Sequence, residues 1–280
     1  MKIDAHHHFW NYDAKTYQWI DEGMEVLKKD FAPSDLEAHL KESGIDGVVS
    51  VQARTNQEEN RFLLDYAGKH DFIKGVVGYV DLTGAKVREE LENFSQAGPK
   101  ALGVREVLQG MADDAYCLRK DFNEGLSLLH DFGLVYDILI FHRHLPNAIQ
   151  LVDRHPDQVF VLDHIAKPAI QSDLPDPEWV NNMKLLGERE TVFCKISGMA
   201  TEVASDLEWT PQLLRPYFEV ALEAFGPDRL MFGSDWPVCL LRSDYKRWVD
   251  TVNSWTEALS DEEQAAFWGG NAVTAYGLKI

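Results

Sequence analysis

The sequence is poor in cysteine, in basic charge and in long apolar runs, and each shortage narrows what the chain can be. Three cysteines occur in 280 residues, Cys117, Cys194 and Cys239. An odd number cannot form a complete disulfide framework, and their spacing matches neither a zinc ribbon nor a CxxC redox pair. They are expected to be inert thiols in a reducing compartment. Lysine and arginine number 27 against 46 aspartates and glutamates, for a formal charge of −19. Such a chain repels phosphate backbones and anionic lipid, so neither nucleic acid nor a membrane surface is expected as a partner. No stretch approaches the roughly 20 apolar residues that span a bilayer. The opening MKIDAHHHFW carries no apolar leader segment, so a cytoplasmic location is expected. No GxGxxG or P-loop follows an early strand-like run, which argues against an open nucleotide-binding sheet.

What is present is alternation. Short, nearly continuous apolar runs lie at residues 3–9, 47–52, 73–80, 101–107, 134–141, 159–164, 192–197 and 229–235. They read as strands covered on both faces. Between them, residues 34–43, 58–70, 85–96, 122–132, 145–154 and 209–225 carry the i, i+3, i+4 apolar spacing of helices packed on a sheet. Eight such alternations predict an α/β fold of one kind, a single (β/α)8 TIM barrel over residues 1–280. No Pro-, Gly- or Ser-rich linker divides the chain. Residues 11–29 and 167–179 read as long loops after the first and sixth strands, placed over the mouth of such a barrel.

The candidate functional residues are polar groups at the ends of these apolar strands, where a barrel presents its chemistry. His6 and His8 share one face of the first strand by alternation, with His7 opposite. Arg105 on the fourth strand cannot lose its charge, so its burial requires a carboxylate or a substrate oxygen. The sixth strand ends in Asp163-His164. Alternation sends these two to opposite faces, and His164 is taken as the one facing the axis. Lys195 sits among apolar neighbours on the seventh strand, placed to pair with a carboxylate or polarise a substrate oxygen. Asp235, in GSDWP at the end of the eighth strand, is the leading general base or metal ligand. Gln52, Tyr136 and His142 are candidate substrate contacts for which a structural role is the default, and Trp10 and Trp236 are candidate pocket walls. His6, His8, His164 and Asp235 together could hold one divalent metal such as zinc.

The segments IDAHHHFW (3–10), GVREVLQG (103–110), FVLDHIAKP (160–168), KISG (195–198), RLMFGSDWP (229–237) and WGGNAVTAYGL (268–278) resemble the amidohydrolase superfamily. The resemblance is to its amidohydrolase-2 branch, and within it to sugar-lactone hydrolases of the L-fuconolactone and L-rhamnonolactone type. It implies a (β/α)8 barrel and opening of a sugar-acid lactone, an ester of the EC 3.1.1 kind, to the aldonic acid. It also implies Asp235 as the base toward water, Arg105, His6 and His8 at the oxyanion, and His164 and Lys195 at the carbonyl or ring oxygen. Many superfamily members bridge two metals through a group on the fourth strand. Here that strand offers Arg105, a fixed cation that opposes a second metal. The cofactor expectation is thus either none strictly required or one zinc. Two rivals stand beside the lactonase: a metal-dependent decarboxylase of an unsaturated or aromatic acid on the same fold, and a barrel that only binds.

Overall fold

The apolar runs become parallel strands. In the computed structural model, which describes residues 1–280, they are β1 (Ile3–His7), β2 (Gly47–Val51), β3 (Ile73–Gly78), β4 (Ala101–Glu106), β5 (Val135–Ile138), β6 (Phe160–Leu162), β7 (Val192–Ile196) and β8 (Leu230–Phe232). They pair in chain order, every pair parallel. The chain beyond β8 returns to β1 through a bridge between His7 and Trp236. There the Asp235 amide donates to the His6 carbonyl at 2.8 Å and the His8 amide to the Trp236 carbonyl at 2.7 Å. The sheet closes as a (β/α)8 barrel.

The helices are α1 (Pro33–Ser43), α2 (Gln57–Lys69), α3 (Val87–Gln96), α4 (Lys120–Leu126), α5 (Leu145–Arg154), α6 (Pro177–Gly187), α7 (Pro211–Phe225), α8 (Tyr245–Thr256), α9 (Asp261–Ala265) and α10 (Asn271–Tyr276). Their starts follow from capping chemistry. The side chains of Asn56, Asp176, Thr210 and Asp244 accept first-turn amides of α2, α6, α7 and α8. Proline supplies the first residue of α1, α6 and α7, where its missing N–H is no loss. The helix expected over 122–132 instead breaks into α4 and a separate 3-10 turn at Leu129–Phe132. No helix is long and apolar enough to cross a membrane.

Two apolar layers form. The larger lies between sheet and helices. The smaller fills the barrel floor with Ile3, Ala5, Val49, Val51, Val77, Val135, Val161, Phe193 and Met231, closed from below by Ala275, Tyr276 and Leu278. Strand parity then assigns faces: with Val135 inside, Asp137 is inside too and Tyr136 is outside, against Phe122 and Phe160. On β1 the same count would put His7 inside, but the ladder shifts register between Asp4 and His7. That irregularity reverses the parity, so His6 and His8 face the axis. Asp4 secures it: its carboxylate accepts the His6 amide at 3.2 Å, the Ser234 amide at 2.8 Å and the Tyr245 hydroxyl at 3.0 Å.

The floor ends in a polar contact. The Tyr276 hydroxyl from α10 lies 2.9 Å from each Asp137 carboxylate oxygen. Tyr276→Phe removes a donor to a buried carboxylate. The variant is expected to lose about 1–3 kcal/mol of stability, read by urea denaturation. An unchanged midpoint would show that the helix plugs the barrel by apolar contact alone.

Candidate active site

The site rests on a buried set of charges above that floor. Lys195 donates to Asp137 at 2.6 Å and lies 3.0 Å from Asp163. Arg105 donates to Asp163 at 2.8 Å through Nη1 and, through Nη2, to the Gln52 carbonyl and to its side-chain oxygen at 3.2 Å. Burial alone would raise the Asp163 carboxyl, but Lys195, then His6 and Arg105, outweigh it and hold Asp163 well below the usual carboxylate range. Asp137, farther down, is carried by burial to about 6 despite Lys195.

Hydrogen bonds fix the two axial imidazoles. His8 Nδ1 lies 2.7 Å from the Val51 carbonyl, which only accepts, so this nitrogen carries the proton. His6 Nδ1 faces the Asp163 carboxylate at 3.1 Å, and its Nε2 faces an Arg105 N–H at 3.3 Å. That assigns Nδ1–H to His6 as well. Lys195 also lies 3.2 Å from this Nδ1, but its two carboxylates already account for its charge. Both Nε2 lone pairs therefore converge with an Asp235 oxygen. The separations are 3.3 Å between the two nitrogens, 3.3 Å from His8 to Asp235 and 3.8 Å from His6 to Asp235.

Three electron-rich atoms this close require a positive partner. Arg105 supplies part of it to His6 Nε2 at 3.3 Å, and a cation at the centre would supply the rest. The edge of a tetrahedron with metal–ligand bonds of about 2.0–2.1 Å is about 3.3–3.4 Å, close to the triangle found here. The donor set also matches a single zinc site with one position open. His164 falls outside this close group, so the structure brings together three of the four expected ligands. Asp163 sits with His6 and His164 in a second cluster, but Arg105 and Lys195 already neutralise it. The charge supports one dication: Asp137, Asp163 and Asp235 against Arg105 and Lys195 leave one net negative charge.

His164 and Asp235 reach the site through unusual backbone. His164, Ile165, Ala166 and Lys167 form a run of left-handed residues with φ of 54, 48, 61 and 47°, and Asp235 has φ of 57°. Each costs energy for an L-residue, most of all β-branched Ile165. The turn is held where it is strained. Trp179 donates to the Ile165 carbonyl at 3.0 Å, and His164 Nδ1 meets Ser197 Oγ at 2.8 Å. Gly198 explains the KISG motif: it has φ of 65°, and a Cβ there would lie 2.7 Å from His164 Nδ1. The turn also overturns strict alternation. Asp163 follows strand parity inward, His164 is brought in by the turn, and both serve the site.

The remaining candidates are placed as follows. His8, Gln52, Arg105, His164 and Asp235 line a pocket of about 600 Å3, counted to its open mouth, at the C-terminal ends of the strands. His6 and Lys195 lie beneath it, fully buried, so Lys195 acts on the site through Asp163 and does not line the pocket. Tyr136 faces the helices by strand parity and is not a substrate contact. Trp10 donates to the Leu27 and Lys29 carbonyls, and Trp236 packs edge-on to Phe9 and Phe31. Both are core residues, and Trp19 provides the aromatic wall instead. His142 stands behind the pocket, its Nδ1 3.0 Å from the Lys167 carbonyl. Sequence reasoning missed Asp137, Asp4, Gln109 and Trp19. Of these, Asp137 had a signal, an acid in mid-strand at the parity of Val135. A wider hollow lined by Asp244, Lys246, Arg247 and Asp250 is open and holds no buried titratable group.

Burial sets the protonation of the imidazoles. It pushes His6 well below the usual range and His164 to about 4, against the opposing pull of Asp163 and Asp235 respectively. Burial would raise Asp235, but His164, His8 and His6 outweigh it, leaving a carboxylate throughout the neutral range. His164 is neutral when folded and binds a proton on unfolding below its ordinary value of 6.5, so its contribution is full above that value and is lost as pH falls toward 4. Between pH 7 and 5 the wild type is expected to lose about 2 kcal/mol more stability than His164→Gln. Denaturant titrations of both proteins at the two pH values check this, and parallel losses would contradict it.

Comparison with known proteins places this geometry. Residues 3–278 match the amidohydrolase family. The chain is 39% identical to an L-fucono-1,5-lactonase of Burkholderia multivorans, covering 99% of this chain and 96% of that one. It is 35% identical, with the same coverage, to an L-fucono-1,5-lactonase of Burkholderia ambifaria. A crystal structure of a Burkholderia multivorans amidohydrolase with bound zinc superposes with a TM-score of 0.95 at 38% identity, over the whole of both chains. By sequence over nearly its full length, and by a barrel carrying its polar groups at the strand ends, the chain belongs to the amidohydrolase family.

Proposed function

We propose that the protein is a hydrolase that opens a sugar-acid lactone, of which L-fucono-1,5-lactone is the first to test. The observation that carries this reading is the convergence of His6, His8 and Asp235 at the bottom of a pocket at the strand ends, beside a fixed cation, in a chain with two full-length relatives that are L-fucono-1,5-lactonases. A one-metal site would also suit the decarboxylase, and the two full-length lactonase relatives favour ring opening over it; so many buried polar groups would be a costly way to bind without reacting.

The reaction is the addition of water across an ester. A water oxygen attacks the carbonyl carbon, the ring C–O bond breaks, the ring oxygen takes a proton, and the new carboxylic acid ionises with net release of one proton. Asp235, ionised and at the pocket floor, is placed to accept the proton from the attacking water. Arg105 lines the same floor with a charge that cannot be lost, and it offsets the negative charge developing on the carbonyl oxygen. His164, held by Ser197, lines the pocket as a neutral ring that can hydrogen-bond the ring oxygen, and the proton that Asp235 takes from water passes to that oxygen as the C–O bond breaks. Asp163 does not touch substrate. It orients His6 and Arg105 together, and Lys195 keeps it charged. His6, His8 and Asp235 would hold one zinc, and when bound that ion would polarise the carbonyl or acidify water.

Asp235→Asn is expected to lower kcat/KM for the lactone by about 10²–10⁴-fold in a proton-release assay, and turnover near wild type would remove the assignment. Silence of the well-folded, zinc-supplied wild type across a panel of 1,4- and 1,5-lactones would sink the lactonase reading itself. Metal retention is a separate measurement. After zinc loading and dialysis, elemental analysis is expected to find about one zinc per chain in wild type and none in a His6→Asn, His8→Asn double variant. Equal zinc in both would place the metal elsewhere.

A further inference from the structure

The pocket must recognise hydroxyl groups if its substrate is a sugar lactone, and the residue that sequence pattern offers for this is already occupied. The Gln52 carboxamide donates to the Arg105 carbonyl at 3.1 Å and accepts from the guanidinium at 3.2 Å. One N–H and one oxygen lone pair are thus spent on Arg105, and Gln52 positions the cation before it can serve a ligand.

Two other polar side chains line the same pocket with no such commitment. Gln109 stands on the turn after β4, anchored through its backbone amide to the Leu139 carbonyl at 3.1 Å. Its side-chain oxygen is buried and has no hydrogen-bond partner, which is costly unless a ligand supplies one. Lys167 closes the left-handed turn after β6. Its amide donates to the His164 carbonyl at 2.8 Å, and its own carbonyl faces His142 Nδ1 at 3.0 Å. The backbone is thus fixed on both sides, while the ammonium has Glu202 at 3.8 Å, longer than a hydrogen bond, and the face of the Phe141 ring at 5.8 Å. Val107 and Leu139 line the pocket as well, on the strand ends of β4 and β5.

We propose that Gln109 and Lys167 are the specificity-determining residues that read the hydroxyl groups of a polyhydroxylated lactone. This rests on the lactonase reading and names the groups that select within it. The chemistry of the pair suits the task. A carboxamide both donates and accepts, as a sugar hydroxyl does, and an ammonium donates to hydroxyl oxygens. Val107 and Leu139 give the less polar edge of the ring an apolar surface. The inference also assigns a use to His142, which holds the Lys167 carbonyl, and to the strained turn, which aims both His164 and Lys167.

The test compares two six-membered lactones, L-fucono-1,5-lactone and δ-valerolactone, the second bearing no hydroxyls. Steady-state proton release is followed with wild type, Gln109→Leu and Lys167→Met, each checked for an unchanged thermal midpoint. For the sugar lactone, kcat/KM is expected to fall about 3- to 10-fold in Gln109→Leu and about 10- to 100-fold in Lys167→Met, carried mainly by KM. For δ-valerolactone it is expected to stay within about two-fold of wild type, since no hydrogen bond to a hydroxyl is lost. Equal falls on both lactones, or no fall on either, overturn the proposal. Calorimetric binding of the open-chain L-fuconic acid needs no turnover and separates the two claims. If the wild type turns over no sugar lactone but binds this acid, and the variants bind it less tightly, the lactonase reading fails and hydroxyl recognition stands. If the variants bind it as tightly as wild type, hydroxyl recognition fails.

Discussion

Asp163 is the residue on which the rest of the site depends. It is fully buried, and a carboxylate there is tolerable only because Arg105 from β4 and Lys195 from β7 face it at 2.8 and 3.0 Å. In return it fixes the His6 ring and the guanidinium that stands beside that ring. Removing either cation would leave a buried negative charge under-compensated, and removing Asp163 would leave Arg105 without its carboxylate and Lys195 with Asp137 alone. Such a network is settled as a unit, which is why the floor of the pocket is rigid before any ligand arrives. The strand ladder supplies the register that makes it possible. Arg105 pairs with Asp137 across β4 and β5, and Lys195 lies on β7 beside β6, the strand that leads into Asp163.

The barrel was legible in the sequence because it rests on a repeating cause. Each buried parallel strand needs an apolar run, and each run here is followed by an amphipathic helix. The strand-end residues His6, His8, Arg105, His164 and Asp235 were legible for the complementary reason: polar groups are expelled from such runs unless something uses them. What failed was the period-2 count wherever the backbone leaves the ideal strand. Parity alone would have pointed His7 inward. The register shift before it, stabilised by Asp4, is a tertiary feature that involves Ser234 and Tyr245, more than 200 residues away. Parity likewise set Asp163 against His164, because no local rule forecasts four consecutive left-handed residues that include an isoleucine.

The aromatic residues were hard to place for a different reason. Trp236 and Tyr136 directly neighbour site residues in the chain, and alternation sends direct neighbours to opposite faces. Trp10 lies two residues past His8 and beyond the end of β1, and its bridge to Phe31 sets its place instead; all three lie in the outer core. The aromatic wall comes instead from Trp19, on the loop after β1. Loop residues have no periodic signal, and their position follows from contacts such as Trp10 against Trp19 that the sequence does not display.

The left-handed turn connects these points. A run from His164 to Lys167 at positive φ opposes the intrinsic preference of every residue in it. A simple loop would be cheaper and would leave the fold intact. The energy is recovered through several specific contacts: Trp179 on the Ile165 carbonyl, Ser197 on His164, the Lys167 amide on the His164 carbonyl and His142 on the Lys167 carbonyl. Gly198 provides the space that any larger residue would fill. That much support converging on one strained turn makes sense if the turn has to present two side chains to the pocket at once. His164 is one of them, at the reacting end, and Lys167 is the other. A strand end following ordinary alternation places a single residue per pair on the axis, so the barrel gains its second polar group here only by leaving strand geometry.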